Sequence, residues 1–331
     1  MKILVVFTGG TIGSAVSDGW ISPASEMKYL LIEKYREITG DDMSFDTLTP
    51  YTILSENLCA ENINSLIKCV SENINKYDGI IVTHGTDTLQ YSAAALSYAF
   101  GCDIPPVILV SSNYPISEDR ANGIDNFIAA VNFIKSEAGR GVFVSYRNGN
   151  TKTEFHIAAR ILSHNECSDE IHSFDGQPYA FYDGAQVELN PGCCYKNTSV
   201  CVKDCFYSSE SRILVINAFP GDNYQYNIED YRAVVIKPFH TGSLNTKNAH
   251  LSAFCDKAKE LGIPVFVTGV YGGVTYESIK PYKDMGLRVL PLSSFPAIYM
   301  KLWLALDKYE TPVDFMFDCI ANEFVIISKN L

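Results

Sequence analysis

Short apolar runs recur along the first half of the chain, and each predicts a buried parallel strand. Between them, apolar residues recur at helical spacing. In 63–74 they fall at i, i+3, i+4, i+7 and i+11, which places them on one face of a helix. Because strands and helices alternate, the pattern predicts a doubly wound parallel sheet. The predicted strands are 3–7, 79–82, 107–110 and 142–144, and the predicted helices are 63–74, 87–99 and 121–134.

The pattern changes near residue 150. Apolar residues alternate with polar or small ones over 155–161, which predicts a β-hairpin extension from about 141 to 161, turning at Asn148-Gly149-Asn150. The stretch 183–210 shows little regular spacing of its apolar residues, and after it strands and helices alternate again. We therefore predict an N-terminal catalytic domain (1–185), a linker (186–210) and a smaller C-terminal α/β domain (211–331). The elements predicted in that domain are strands 213–216, 233–236, 265–268 and 288–290, and helices 248–261 and 296–306.

Composition and charge narrow the possible partners. The chain has 331 residues, of which 47% are hydrophobic and 19% charged, and its formal net charge is −12. This charge repels phosphate backbones and anionic membrane surfaces, so we expect no nucleic-acid or membrane partner. No apolar run approaches the roughly 18 residues that a spanning helix needs. The apolar start at 3–7 is shorter than the core of a signal peptide, which predicts a cytoplasmic protein that begins at Met1.

Ten cysteines without an export signal favour reduced thiols over a disulfide framework. The densest group lies within 13 residues, a local density that a metal could use, but it lacks a clean C-x-x-C pair. The alternative is a set of scattered thiols around a hairpin. We predict no metal site, and metal binding by this group stays open. Its members are Cys193, Cys194, Cys201 and Cys205.

Two glycine turns carry the clearest chemical signal. The segment 8–13 (Thr-Gly-Gly-Thr-Ile-Gly) follows the first strand, and 83–88 (Thr-His-Gly-Thr-Asp-Thr) joins a later strand to a helix. Both stand at carboxyl ends of parallel strands, where ligands bind in open α/β sheets. Glycines let the backbone approach a ligand and leave N–H groups to donate, while Thr11 and Thr86 offer hydroxyls and Asp87 a carboxylate. The alternative is ordinary helix capping at a common strand-to-helix turn.

Nucleotide binding is the competing interpretation of the first turn. Gly10 and Gly13 fit the last two glycines of G-x-G-x-x-G, but Thr8 occupies the first position. No acidic residue ends a clear second strand about 20 residues later, as that fingerprint requires. The chain also contains no Gly-Lys-Ser or Gly-Lys-Thr, which excludes a phosphate-binding P-loop.

Together, the segments 8–13 and 84–88 resemble the bacterial-type L-asparaginase/glutaminase family, in particular its cytosolic type I members. The chain length and the two-domain α/β layout fit that family over the whole chain. The resemblance implies hydrolysis of the side-chain amide of L-asparagine to L-aspartate and ammonia through a threonine nucleophile. It implies no metal and no organic cofactor.

The resemblance also implies roles for individual residues. Thr11 matches the nucleophile, Thr86 the second catalytic threonine, and Asp87 the carboxylate that holds the α-amino group of the substrate. Ser55 resembles the serine that receives the α-carboxylate, and Glu56 lies beside it on the pocket wall. An ordinary helix-entry residue is the alternative for Ser55. Further substrate-binding positions are Gly10 and Gly85.

Two positions depart from the family pattern. Trp20 stands where the family has a tyrosine that supports the nucleophile, and an indole cannot relay a proton as a phenol does. The family also has a lysine shortly after an arginine. Here Arg160 is followed by Ser163 or His164 at the place of the lysine, and Lys152 falls in the hairpin turn. A missing general base costs a factor of about 10² to 10⁴ in rate.

The resemblance implies a homodimer or a dimer of dimers, with the turn 240–245 reaching a neighbouring protomer. One alternative function is an amino-acid-binding homologue with little turnover, which Trp20 and the missing lysine favour. Another is an amidohydrolase for glutamine or another amide. The family branch that feeds ammonia to a tRNA-bound substrate carries an added N-terminal domain, whereas the first motif begins here at Thr8, so we expect a different role.

Overall fold

The computed structural model describes residues 1–17, 20–23, 27–165, 167–196, 200–271, 276–309 and 312–325. The chain forms two compact units. The first comprises Met1–Ser209 with Ile320–Glu323, and the second comprises Glu210–Cys319 with Phe324–Leu331.

The first unit is built on one large sheet and a separate hairpin. Its strands are β1 (Ile3–Phe7), β2 (Ser14–Ser17), β3 (Trp20–Pro23), β4 (Phe45–Leu48), β5 (Gly79–Thr83), β6 (Val107–Val110), β7 (Val142–Arg147), β8 (Thr153–Ile157), β9 (Ala180–Tyr182) and β10 (Val187–Leu189). The large sheet has eight strands in the order β10-β9-β8-β7-β6-β5-β1-β4. The strands from β4 to β7 pair in parallel, and β8, β9 and β10 extend the sheet in antiparallel fashion. Strands β2 and β3 form the hairpin.

Helices cover the central strands on both faces. These helices are α1 (Met27–Thr39), α2 (Ala60–Asn73), α3 (Leu89–Phe100) and α4 (Gly123–Lys135); α1 contacts α4, and α2 contacts α3. Alternate residues of β1 (Ile3, Val5 and Phe7) share a core with α1 and α4. Every residue of β1, β5 and β6 is buried, which explains why these strands are continuous apolar runs.

The connections place a topological switch point between β1 and β5. These two strands are neighbours, with Phe7 opposite Thr83. From β1 the chain moves outward to β4 on one side, and from β5 it moves to β6 on the other side. The loops that follow β1 and β5 therefore leave the same edge of the sheet side by side, at the position where open α/β sheets bind ligands.

The structure differs from the sequence prediction in several local elements. The strand predicted to run through residue 161 ends at Ile157, and Ala158–Arg160 forms a 3-10 turn. The segment predicted to be a linker contributes β10 to the large sheet. Strands β9 and β10 have three residues each, which is too short to show a period of two. Strand β4 lies at the sheet edge and is largely exposed, so its sequence is not a continuous apolar run.

The second unit contains a smaller sheet. Its elements are β11 (Ile213–Asn217), β12 (Ala233–Lys237), α5 (Ala249–Glu260), β13 (Val265–Val267), β14 (Leu287–Val289), α6 (Phe295–Lys308) and α7 (Pro312–Phe315). The four strands are parallel and lie in the order β11-β12-β13-β14. The doubly wound sheet, its hairpin extension and the smaller C-terminal α/β unit predicted from the sequence are confirmed. Within the described ranges, no helix is long and apolar enough to cross a membrane.

Candidate active site

The first glycine turn lies against two other segments of the chain. Gly9 and Gly10 have φ of +102° and +73°, a region that favours glycine. The N–H of Gly10 donates to the carbonyl of Ile53 at 3.0 Å, which ties the turn to the segment that precedes Ser55. A Cβ on Gly10 would lie 2.2 Å from the backbone N of Gly85. The two glycine turns therefore pack backbone against backbone.

Ser55 completes this contact. A Cβ on Gly85 would lie 2.5 Å from the Cβ and the Oγ of Ser55 and 3.1 Å from the Cα of Gly10. Three segments that are distant in sequence thus meet at one edge of the sheet. The structure brings together Gly10, Ser55 and Gly85, all of which the resemblance assigns to substrate binding.

Ser55 and Asp87 form the polar side of the site. Ser55 is buried, and its Oγ donates to Oδ2 of Asp87 at 3.3 Å. The Thr88 hydroxyl donates to the carbonyl of Ser55 at 2.8 Å, and the Gln90 amide donates to the carbonyl of Asp87 at 2.8 Å. The Asp87 side chain itself is exposed. Its backbone is therefore held in place while its carboxylate remains accessible to a cationic group.

Thr11 and Thr86 are both partly exposed at this edge. Thr11 begins the 3-10 turn Thr11–Gly13 immediately after Gly10, and Thr86 follows Gly85 directly. Neither threonine makes a hydrogen bond, through its hydroxyl or its N–H, to any residue in the part of the chain that the structure describes. Two hydroxyls and two backbone N–H donors are thus available to a ligand.

In the described part of the region where the family carries a lysine, no cationic side chain forms an ion pair with Asp87. Arg160 is buried, and its guanidinium donates to the carbonyl of Asn322 at 2.6 Å and to Asp175 at 2.9 Å. Ser163 is exposed, and Nε2 of the half-buried His164 has no partner within the described ranges. Among the described residues, no lysine, arginine or histidine forms an ion pair with Asp87.

Lys152 forms an ion pair with a carboxylate other than Asp87. It lies in the turn between β7 and β8, where its Nζ is 3.2 Å from the Glu188 carboxylate. This ion pair joins the β7–β8 turn to strand β10. Lys152 therefore does not take the place of the family's lysine.

Trp20 opens strand β3 in the hairpin that directly follows the Thr11–Gly13 turn. It pairs with Ser17 across the hairpin, and 78% of its surface is exposed. Glu56 is also exposed, next to the buried Ser55. Glu56 as a substrate-binding residue and Trp20 as the replacement of the family's tyrosine both stay predictions.

The structure also shows the surroundings of the cysteines and of the turn 240–245. None of the ten cysteines, each of which lies in a described range, forms a disulfide. No three His, Cys, Asp or Glu side chains are grouped to hold a metal ion in the ranges that the structure covers. In the turn 240–245, the N–H of Gly242 donates to the carbonyl of Phe239 at 2.7 Å, and the Thr241 and Ser243 hydroxyls lie 2.8 Å apart.

Sequence reasoning missed one polar residue of this site. His84 is buried beneath the second turn, with Nδ1 2.9 Å from the carbonyl oxygen of Gly85 and Nε2 2.8 Å from the Ser92 hydroxyl. Burial lowers the pKa of His84 below its ordinary value. The signal was present in the sequence, because His84 lies inside the motif 83–88, but the pattern alone does not reveal the direction of its ring.

The N-terminal part of the chain matches a known protein family. A family model described as "Asparaginase, N-terminal" matches residues 2–191, more than half of the chain. The chain belongs to the asparaginase family. The resemblance inferred from the two glycine turns is therefore confirmed, and the asparaginase match includes both turns and Ser55.

Individual relatives of the chain carry two different names. A glutamyl-tRNA(Gln) amidotransferase subunit of Methanobrevibacter smithii is 28% identical over 82% of this chain, and the chain spans 64% of the length of that relative. "L-asparaginase 1" of Escherichia coli is 30% identical over 47% of this chain and 48% of that relative. The structure of the thermostable L-asparaginase from Thermococcus kodakarensis is similar in fold, with a TM-score of 0.81 at 24% identity, covering 98% of this chain and 99% of that one.

Proposed function

We propose that this asparaginase-family chain is an amidohydrolase that converts L-asparagine to L-aspartate and ammonia. The observation that carries the proposal is the meeting of Gly10, Gly85 and Ser55, with the Asp87 carboxylate 3.3 Å from the Ser55 hydroxyl. This arrangement offers a carboxylate for an α-ammonium group and a hydroxyl for an α-carboxylate. The threonine hydroxyls lie next to the glycines, where a substrate side chain would reach.

In the proposed reaction, the Thr11 Oγ attacks the side-chain amide carbon. The carbonyl oxygen becomes an oxyanion, which accepts hydrogen bonds from the N–H groups of Thr11 and Thr86, neither of which has an acceptor among the described residues. The C–N bond then breaks, and the proton lost by Thr11 ends on the leaving nitrogen as ammonia. Water hydrolyses the resulting ester, which releases aspartate and restores the Thr11 hydroxyl.

The absence of a described cation on Asp87 favours slow turnover, since nothing at that position assists proton removal. The same observation supports a second candidate, an amino-acid-binding protein with little turnover. The likeness to an amidotransferase component makes glutamine a further amide to test. We also propose that the protein acts in the cytoplasm as a homodimer or homotetramer, a state that light scattering of the purified protein measures.

The decisive experiment is ammonia release from L-asparagine, L-glutamine and D-asparagine. Wild type is compared with Thr11→Val and Thr86→Val, which remove each hydroxyl at nearly constant volume. We expect release from L-asparagine by wild type and a loss of at least about 10³-fold in either variant. No release from any amide, while L-asparagine still raises the melting temperature, would favour the binding protein instead.

A further inference from the structure

His84 takes no part in the reaction outlined above, but it is anchored beneath the turn that carries Thr86. Its N–H donates to the carbonyl of Val110 at 2.9 Å, and its own carbonyl accepts from the Ser111 hydroxyl at 2.8 Å. Both partners stand at the end of the neighbouring strand β6. These two hydrogen bonds fix the backbone of His84 to the sheet, and they therefore restrict the positions that its imidazole ring can take.

The contacts of the ring determine its tautomer. A carbonyl oxygen can only accept, so the 2.9 Å contact between Nδ1 and the Gly85 oxygen requires a proton on Nδ1. Burial disfavours the imidazolium form, which leaves Nε2 without a proton. Nε2 consequently accepts from the Ser92 hydroxyl at 2.8 Å. A directed chain of donors runs from Ser92 through His84 to the Gly85 carbonyl.

This chain sets the orientation of one peptide group. The described backbone contains no cis peptide bond, so the Gly85–Thr86 peptide is trans, and its C=O and N–H point in opposite directions. Because the carbonyl of Gly85 is held toward the buried ring, the N–H of Thr86 points away from it, toward the outer side of the turn. That N–H has no acceptor in the described part of the chain.

We propose that His84 is a positioning residue that aims the N–H of Thr86 at the oxyanion by holding the carbonyl of Gly85, with Ser92 fixing its tautomer. The proposal rests on the function proposed above, because an oxyanion forms only during turnover. If the N–H of Thr86 points in the wrong direction, it stabilises the transition state less. The free energy of the bound amino acid in the ground state stays largely unchanged. The expected signature is a loss in kcat with little change in KM.

Two substitutions of His84 by amide residues test the roles of the two ring nitrogens separately. His84→Asn keeps a donor near the position of Nδ1, while His84→Gln reaches only the position of Nε2. We expect His84→Gln to lower kcat for L-asparagine about 100-fold with KM within about threefold. His84→Asn should stay within about tenfold of the wild-type kcat. Equal losses in the two variants, or a wild-type kcat in His84→Gln, would overturn the positioning role.

A second pair of variants covers the case in which His84→Gln does not fold. Ser92→Ala removes the donor to Nε2 and should lower kcat about tenfold. Ser97→Ala is the matched control, because Ser97 is also buried in α3 and its hydroxyl donates to the carbonyl of Ala93, within its own helix, at 2.8 Å. The same kcat in these two variants would contradict the proposal.

The tautomer can be read without substrate. Imidazole ¹⁵N NMR of the intact protein at pH 8 should show one of the six histidines, identified by its loss in His84→Asn, as the Nδ1–H form. An Nε2–H form would overturn the inference even if wild type releases ammonia. Wild type that releases no ammonia from any amide overturns the proposed function and the catalytic role of His84 together.

Discussion

The Asp87 carboxylate is well placed to bind a cationic group, since its backbone is held by a hydrogen bond while its charge faces solvent. Its neighbour Ser55 is buried and donates to it at 3.3 Å. A bound amino acid would replace water around this carboxylate with an ammonium group. Charge-assisted hydrogen bonds of this kind contribute about 1.5 to 3 kcal/mol.

Asp87→Asn should therefore raise KM for L-asparagine by roughly 10- to 100-fold, because the neutral amide keeps the shape and loses the charge. Steady-state kinetics of ammonia release measures the change. Asp103→Asn is the control, since Asp103 is an exposed partner of Arg140 elsewhere in the first unit. An unchanged KM in Asp87→Asn would contradict binding of the α-ammonium group by this carboxylate.

The two glycine turns behave as one element, because each leaves no room for a side chain on the other. Gly10→Ala places a Cβ 2.2 Å from the backbone N of Gly85, at a φ of +73°. We expect a loss of about 3 kcal/mol in the free energy of unfolding, from steric overlap added to backbone strain. Urea unfolding followed by circular dichroism measures this difference.

The matched control for that substitution is Gly149→Ala in the turn between β7 and β8. Gly149 also has a positive φ, +51°, but a Cβ there meets nothing within 4 Å. It therefore isolates the strain, which costs about 1 kcal/mol. Equal destabilisation by the two substitutions would show that the contact between the turns carries no energetic weight.

The 3-10 turn Ala158–Arg160 ends in a buried cation, the guanidinium of Arg160. Arg160 donates to Asp175 and to two backbone carbonyls, and Arg160→Met would leave Asp175 and these carbonyls without their donor. We expect a loss of about 3 to 5 kcal/mol in the free energy of unfolding. Arg140→Met, which breaks the half-exposed pair with Asp103, should cost no more than about 1 kcal/mol. Urea midpoints of the two variants test the contrast.

At the scale of the whole molecule, a buried histidine makes stability depend on pH. Burial, assisted by the nearby His172, lowers the pKa of His156 from 6.5 to about 3. The unfolded chain therefore binds one more proton than the folded chain between about pH 6.5 and pH 3. Stability falls as the pH is lowered through that window, and His156 contributes nothing to the pH dependence above it.

Between pH 6.5 and pH 4.5, the wild type should consequently lose about 2 kcal/mol more stability than His156→Asn. The variant keeps an amide near Nδ1, which contacts the Ser173 hydroxyl at 2.8 Å. Urea unfolding at both pH values gives the comparison, with His250→Asn as an exposed control. A wild-type slope equal to that of His156→Asn would contradict a neutral buried His156.

The sequence predicts those parts of the structure that have a long apolar pattern or a chemically distinctive motif. The central strands are apolar because both faces are covered, and the two glycine turns identify the family through their residue order alone. Short strands such as β9 and the largely exposed edge strand β4 carry no such pattern. The ring direction of His84 is set by individual contacts with Gly85 and Ser92, and Arg160 is tethered to Asn322, which is distant in the sequence. Hydrophobic periodicity reports neither kind of contact.

The contact between Gly10 and Gly85 also has a consequence for how the protein matures. Its two sides are joined only after β1 and β5 have paired, across a separation that includes two helices and the edge strand. A chain that is still emerging from the ribosome, or one trapped as a collapsed intermediate, holds Thr11 and Asp87, the proposed nucleophile and the proposed binding carboxylate, apart. Recovery of amide hydrolysis during refolding would thus report completion of the central sheet, later than any signal from local helix formation.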